Sequence, residues 1–108
     1  MNKNILNIEN IRQCIEERKI IWTKHCLNRL AQRDILIEDV KNTIRDGTII
    51  EYYYDDYPYQ SCLIKGKDTS DEILHIVCGI NDDMVYMITA YHPNSDKWEN
   101  DLKTRREE

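Results

Sequence analysis

The sequence predicts an α+β domain, with N-terminal helices packed on a four-stranded antiparallel sheet and a short C-terminal helix or extended tail. Two observations carry this reading. Apolar residues recur at helical spacing as far as Ile44, and from Thr48 onward β-branched and aromatic runs replace them, separated by turn signals. Ile8, Ile11 and Ile15 fall at i, i+3 and i+7 with Cys14 alongside, so residues 7–19 read as an amphipathic helix capped by Asn7. KIIW, residues 19–22, reads as an apolar link. Thr23 caps a second helix, 23–33, and Ile37, Val40 and Ile44 define a third, 37–45, stopped by Asp46-Gly47.

Four strands follow: TIIEYYY (48–54), YQSCLIKG (59–66), ILHIVCGI (73–80) and MVYMITAY (84–91). ILHIVCGI is the one expected at the centre of the sheet. DDYP and KDTSDE are turn or loop segments, and NDD (81–83) is a hairpin turn, so the Asp82-Asp83 carboxylates read as turn formers. Ser95 can cap a short last helix with Trp98 facing inward.

A chain of 108 residues is one domain, 1–108, long enough for a core without staples. It holds no apolar run of membrane-spanning length, and MNKNILNIEN lacks a signal-peptide core, so the expected location is cytoplasmic. Cys14, Cys26, Cys62 and Cys78 form no CxxC pair and read as buried apolar residues. No cofactor or metal is expected: Gly47, Gly66 and Gly79 are scattered, and no His/Cys set has metal spacing. Ser61-Cys62 has no base nearby in sequence, and a Cys62–His75 nucleophile pair would need strand register to create it.

Charge is unevenly spread. Residues 1–33 carry seven basic and three acidic side chains, whereas residues 34–108 carry eight and seventeen. The net charge of −5 argues against general nucleic-acid binding but permits a local anion site in the first third, or a basic half that meets an acidic partner.

That third contains WTKHCLNRLAQR, in which His25, Arg29 and Arg33 recur at i, i+4 and i+8. With His25 at zero on a helical wheel, the arginines fall at about 40° and 80°, and Cys26, Leu27, Leu30 and Ala31 between about 100° and 240°. The stripe therefore borders the apolar face. It reads either as a solvated helix face or as a phosphate site, since arginine forks grip phosphate and histidine exchanges protons near neutral pH. Cleavage of RNA by its own 2′-hydroxyl needs such parts: a base, cations on the phosphate and an acid for the leaving oxygen.

ITAYHPNSDKWEN ends the last strand and supplies Tyr91, His92, Lys97 and Trp98. Tyr91 either packs at the core edge or donates to a scissile phosphate, Lys97 adds a cation, and Trp98 reads as structural. His75 sits within an apolar strand, where a satisfied core or sheet-face histidine is the plainer reading. YYYDDYPYQS, with Tyr59, reads as cross-strand pairing or as an adaptable contact surface, and Asp55 and Asp56 favour protein over RNA there.

Taken in order, T-x-H-x-x-x-R-x-x-x-R (23–33), G-x-I-I-E (47–51), D-x-P-Y-x-S-C-L (56–63), L-H-I-V (74–77) and I-T-x-Y-x-P-x-x-x-K-W-E (88–99) resemble a small bacterial family catalogued as a domain of unknown function, number 4258. That family looks like a relative of the RelE/ParE-type toxins, which have N-terminal helices on an antiparallel sheet. The resemblance implies the toxin of a type II toxin–antitoxin pair, acting on mRNA and neutralised by a neighbouring antitoxin, often a small zinc-finger or helix-turn-helix protein. The family's matching positions are His25, Arg29, Arg33, Tyr59, His75, Tyr91, Lys97 and Trp98. The expected activity is metal-independent RNA cleavage, with His25, Arg29, Arg33 and Tyr91 catalytic and Lys97, Tyr59 and His75 binding substrate. Toxins that cut mRNA on the ribosome tend to be basic and this chain is acidic, which leaves cleavage of free RNA, action on a protein, or a non-catalytic protein-binding module.

Overall fold

A computed structural model describes residues 5–94. Three helices, α1 (Ile8–Glu16), α2 (Lys24–Gln32) and α3 (Ile37–Asp46), pack on a sheet of β1 (Ile20–Trp22), β2 (Thr48–Tyr53), β3 (Ser61–Lys67), β4 (Ile73–Asn81) and β5 (Met84–Tyr91). The α+β class and all three helices stand as expected, but the sheet has five strands in the order β1-β5-β4-β3-β2. The extra strand is the KIIW segment, which runs parallel to β5 with Ile20 opposite Val85 and Trp22 opposite Met87. A three-residue strand shows no alternation in sequence, and its partner lies more than sixty residues away, so only the tertiary fold makes it a strand. The sheet is thus mixed rather than purely antiparallel. The expected C-terminal helix lies outside the described residues.

Local chemistry explains where the helices begin and end. Asn7 Oδ1 accepts from the Asn10 amide at 2.7 Å and so caps α1. α1 ends short of residue 19 because Arg18 adopts a left-handed conformation. There the Lys19 amide donates to Cys14 O and the Arg18 amide to Ile15 O, which closes the helix in a Schellman motif. α2 ends the same way, with Asp34 left-handed and the Ile35 amide donating to Leu30 O. α3 stops at Gly47, whose φ of −83° needs no glycine. The need is space: a Cβ there would lie 2.6 Å from Thr43 O and 2.7 Å from Lys65 O. Arg12 of α1 reaches across to donate to Ile44 O and Gly47 O at this same helix end.

Ile76 of β4, at the centre of the sheet as expected, is fully buried with Ile11, Ile44, Ile64 and Met87. These side chains fill the face that the helices cover. All four cysteines are buried free thiols, and Cys62 stands directly opposite Cys78. Burial pushes the Cys26 thiol up to about 11. Cys78 is raised by its hydrogen bond with Cys62, then by burial and the other nearby thiols. The NDD turn closes β4 onto β5 with Asp82 and Asp83 both left-handed, the conformation that a tight hairpin demands.

Replacing Ile76 by Ala is expected to lower unfolding free energy by about 2–5 kcal/mol in urea titrations. Stability should also fall as pH rises from about 9 toward about 11, because the unfolded chain then releases a thiol proton that folded Cys26 retains. Urea midpoints across that range should show the slope, and Cys26→Ala should flatten it.

Candidate functional site

The second helix is held on the sheet at both ends. At its start the Thr23 hydroxyl accepts from the Cys26 amide at 3.1 Å and donates to Met87 O of β5 at 3.0 Å. Cys26 and Leu30, one turn apart, are buried, which sets the rotation of the helix and leaves His25, Arg29 and Arg33 exposed along its border. At the other end Arg33 Nη1 donates to Ala90 O at 2.8 Å and to Thr89 Oγ1 at 3.2 Å. β1 stops opposite Met87, and Arg33 supplies a donor to β5 beyond that point.

The Arg33 guanidinium carbon lies 6.0 Å from the centre of the Tyr91 ring, the outer range of a cation–π contact. Tyr91 in turn meets His75 edge-on, with ring centres 5.5 Å apart. His75 is fully buried, so its ring shapes the seat of Tyr91 rather than facing solvent. Strand register adds a residue that sequence reasoning missed. Lys65 stands opposite His75, and His75 opposite Tyr91, so the three share one face of the sheet, opposite the helices. An open pocket of about 440 Å³ begins at Lys65 and is lined by Asp46, Thr48, Gly66, Lys67, Asp68 and Ile73, so two lysines and two aspartates share it. Nothing in the residue pattern of YQSCLIKG marked Lys65; only register brings it into line.

The remaining expected residues divide. Arg29 is exposed and donates to Gln32 Oε1 at 3.2 Å. Tyr59 stacks obliquely on Tyr86, ring centres 4.8 Å apart, over Gly79, where a Cβ would meet the Tyr59 ring at 2.9 Å. Gly79 is opposite Tyr86 and His75 opposite Tyr91, so Tyr59 sits about 13 Å along the sheet from Tyr91. Burial and then the neighbouring Tyr86 raise the Tyr59 phenol. Lys97 and Trp98 lie outside the described residues. A Cys62–His75 pair does not form: Cys62 is opposite Cys78 on the helix-covered face, and His75 is opposite Lys65 on the other.

Among the described residues, Asp68, Glu72 and His92 are the three whose donor atoms lie within 4.8 Å of one another. Asp68 Oδ1 already accepts from the Ser70 and Glu72 amides, and His92 Nδ1 is 2.9 Å from Ile73 O. Among the described residues no helix is long and apolar enough to cross a membrane.

Residues 22–92 match a family described as Domain of unknown function (DUF4258). The matched span runs from the last residue of β1 to the residue after β5 and so contains α2, Lys65, His75 and Tyr91. No curated protein and no solved structure matches the chain.

Thr23→Val keeps the side-chain shape but removes both hydrogen bonds. It should cost about 1–3 kcal/mol in urea unfolding and speed amide exchange in the first turn of α2, while Ser at the same position should restore both.

Proposed function

We propose that this chain, which belongs to the DUF4258 family, is a metal-independent endoribonuclease and the toxin of a type II toxin–antitoxin pair, built like the RelE/ParE-type toxins. One observation carries the reading: the exposed His25–Arg29 edge of α2 leads directly into the Arg33–Tyr91 contact at the end of β5.

The chemistry follows from that line. His25 takes the proton of a ribose 2′-hydroxyl, whose oxygen then attacks the adjacent phosphorus. Arg29 binds the phosphate, and Arg33 adds charge beside it while holding the strand end. The Tyr91 hydroxyl donates to a phosphate oxygen as negative charge grows there. The P–O5′ bond breaks, the 5′-oxygen takes a proton from water, His25 returns its own proton to solvent, and the other product ends in a 2′,3′-cyclic phosphate. His75 is a positioning residue acting through the Tyr91 ring. Lys65, two strands from Tyr91 in the same row, suits a neighbouring phosphate, Tyr59 offers a ring to a more distant base, and the family resemblance adds Lys97 as a further cation.

Support also comes from charge. Arg29 and Arg33 stand on one helix border of an acidic protein, which suits a few defined phosphate contacts on free RNA rather than a broad ribosomal surface. The same toxin reading supplies the partner: an antitoxin of the zinc-finger or helix-turn-helix kind, in the cytoplasm.

Induction of the wild-type chain alone should arrest growth, and His25→Ala should relieve arrest with an unchanged circular dichroism spectrum. In a purified assay containing a chelator, His25→Ala should slow RNA cleavage by about 10²- to 10⁴-fold. If the His25→Ala, Arg29→Ala and Arg33→Ala proteins all stay as toxic as wild type, the assignment fails. With Arg29, Arg33 and Lys65 each neutralising one phosphate, RNA affinity should fall with salt at a log–log slope of about −2. No RNA binding at low salt would point instead to a protein-binding module.

A further inference from the structure

The far side of the sheet carries a surface that RNA cleavage does not use. β2 is the outermost strand, and among the described residues no strand pairs with its outer edge. Exposed edges are ordinarily blunted by lysine, proline or shortness. The opposite edge strand, β1, has three residues and is preceded by Lys19. β2 has six, and TIIEYY contains neither lysine, arginine nor proline. Its one irregularity, the bulge between Ile49 and Glu51, leaves Glu51–Tyr53 in regular register.

Beside this edge stands an aromatic shelf. The Tyr52 and Tyr54 rings are stacked with centres 5.2 Å apart and planes 2° from parallel. Tyr52 is 41% exposed, Tyr54 60% and Tyr57 94%. Rings held in water this way cost solvation without a matching gain inside the chain. The charge around them has one sign: Glu51, Asp55 and Asp56 are acidic, and no lysine or arginine occurs from residue 48 to residue 64. Two of the three carboxylates are held in place, Glu51 accepting from the Tyr53 hydroxyl and Asp56 from the Ser61 hydroxyl.

We propose that the outer edge of β2 is a docking site for an extended, lysine- and arginine-bearing segment of a partner protein, which adds to the sheet as a sixth strand. Main-chain pairing along Thr48–Tyr53 provides the register. Cationic side chains of that segment lie over the Tyr52–Tyr54 shelf and against Asp55 and Asp56. Single-stranded RNA could stack on the same rings, but the three carboxylates oppose its phosphates. This inference is independent of the cleavage reading, and its test uses neither RNA cleavage nor any residue of α2.

The full chain would be titrated with a short synthetic peptide alternating lysine or arginine with valine or threonine, followed by amide hydrogen exchange. Exchange should slow in Thr48–Tyr53 and not in β1. Methylating alternate backbone amides of the peptide, which keeps its charge but blocks strand pairing, should abolish that protection. Tyr52→Ala with Tyr54→Ala, and separately Asp55→Lys, should each weaken binding by about tenfold with unchanged circular dichroism. No binding, protection located elsewhere, or equal binding of the methylated peptide would overturn the proposal. So would a uridine-rich RNA oligomer that protects β2 while the peptide does not.

Discussion

The hydroxyl of Thr23 performs two tasks at once, closing the first turn of α2 and gripping the main chain of β5 at Met87. Arg33 repeats the grip at the other end of the helix, on Ala90. Ten helical residues span about 15 Å, whereas Met87 to Ala90 covers about 10 Å of strand. The length of the arginine side chain closes the difference. With both ends tied to one strand, α2 cannot slide or roll without breaking a hydrogen bond, so the line of His25 and Arg29 is fixed relative to Tyr91. Arg33 therefore serves the fold before it serves any ligand, which is why its loss and the loss of Arg29 are different experiments.

Charge follows the same architecture. The basic first third of the chain forms α1, β1 and α2, and the last two of these lie at the β5 side of the sheet. The acidic remainder contains β2 and the turn after it, at the opposite side, about 14 Å from β5 across three strand spacings. The basic stripe of α2 and the acidic run beside β2 therefore lie at opposite sides of the sheet. One suits phosphate and the other suits a basic polypeptide.

The buried thiols have a plainer role. Cys26 is on the buried side of α2, and Cys62 and Cys78 face each other beneath the helices, all within the core. Burial raises the Cys26 thiol, and the hydrogen bond with Cys62 followed by burial raises that of Cys78, and a raised thiol is a poor nucleophile at neutral pH.

Sequence by itself determined the helices, their caps at Asn7 and Thr23, the tight NDD turn and the central place of ILHIVCGI, because each is written in local periodicity or in a side chain that bonds its own neighbours. It also marked the His25–Arg29–Arg33 line, since three residues at a spacing of four need only a helix to align them. The tertiary structure alone decided that KIIW is a strand, because a three-residue parallel pairing depends on a partner distant in the chain. It alone decided that Lys65 joins His75 and Tyr91, because strand register is a property of two segments together. And it alone buried His75 while exposing Tyr54: both are large rings in strand-forming runs, and which one meets water is set by the layers packed above and below each strand.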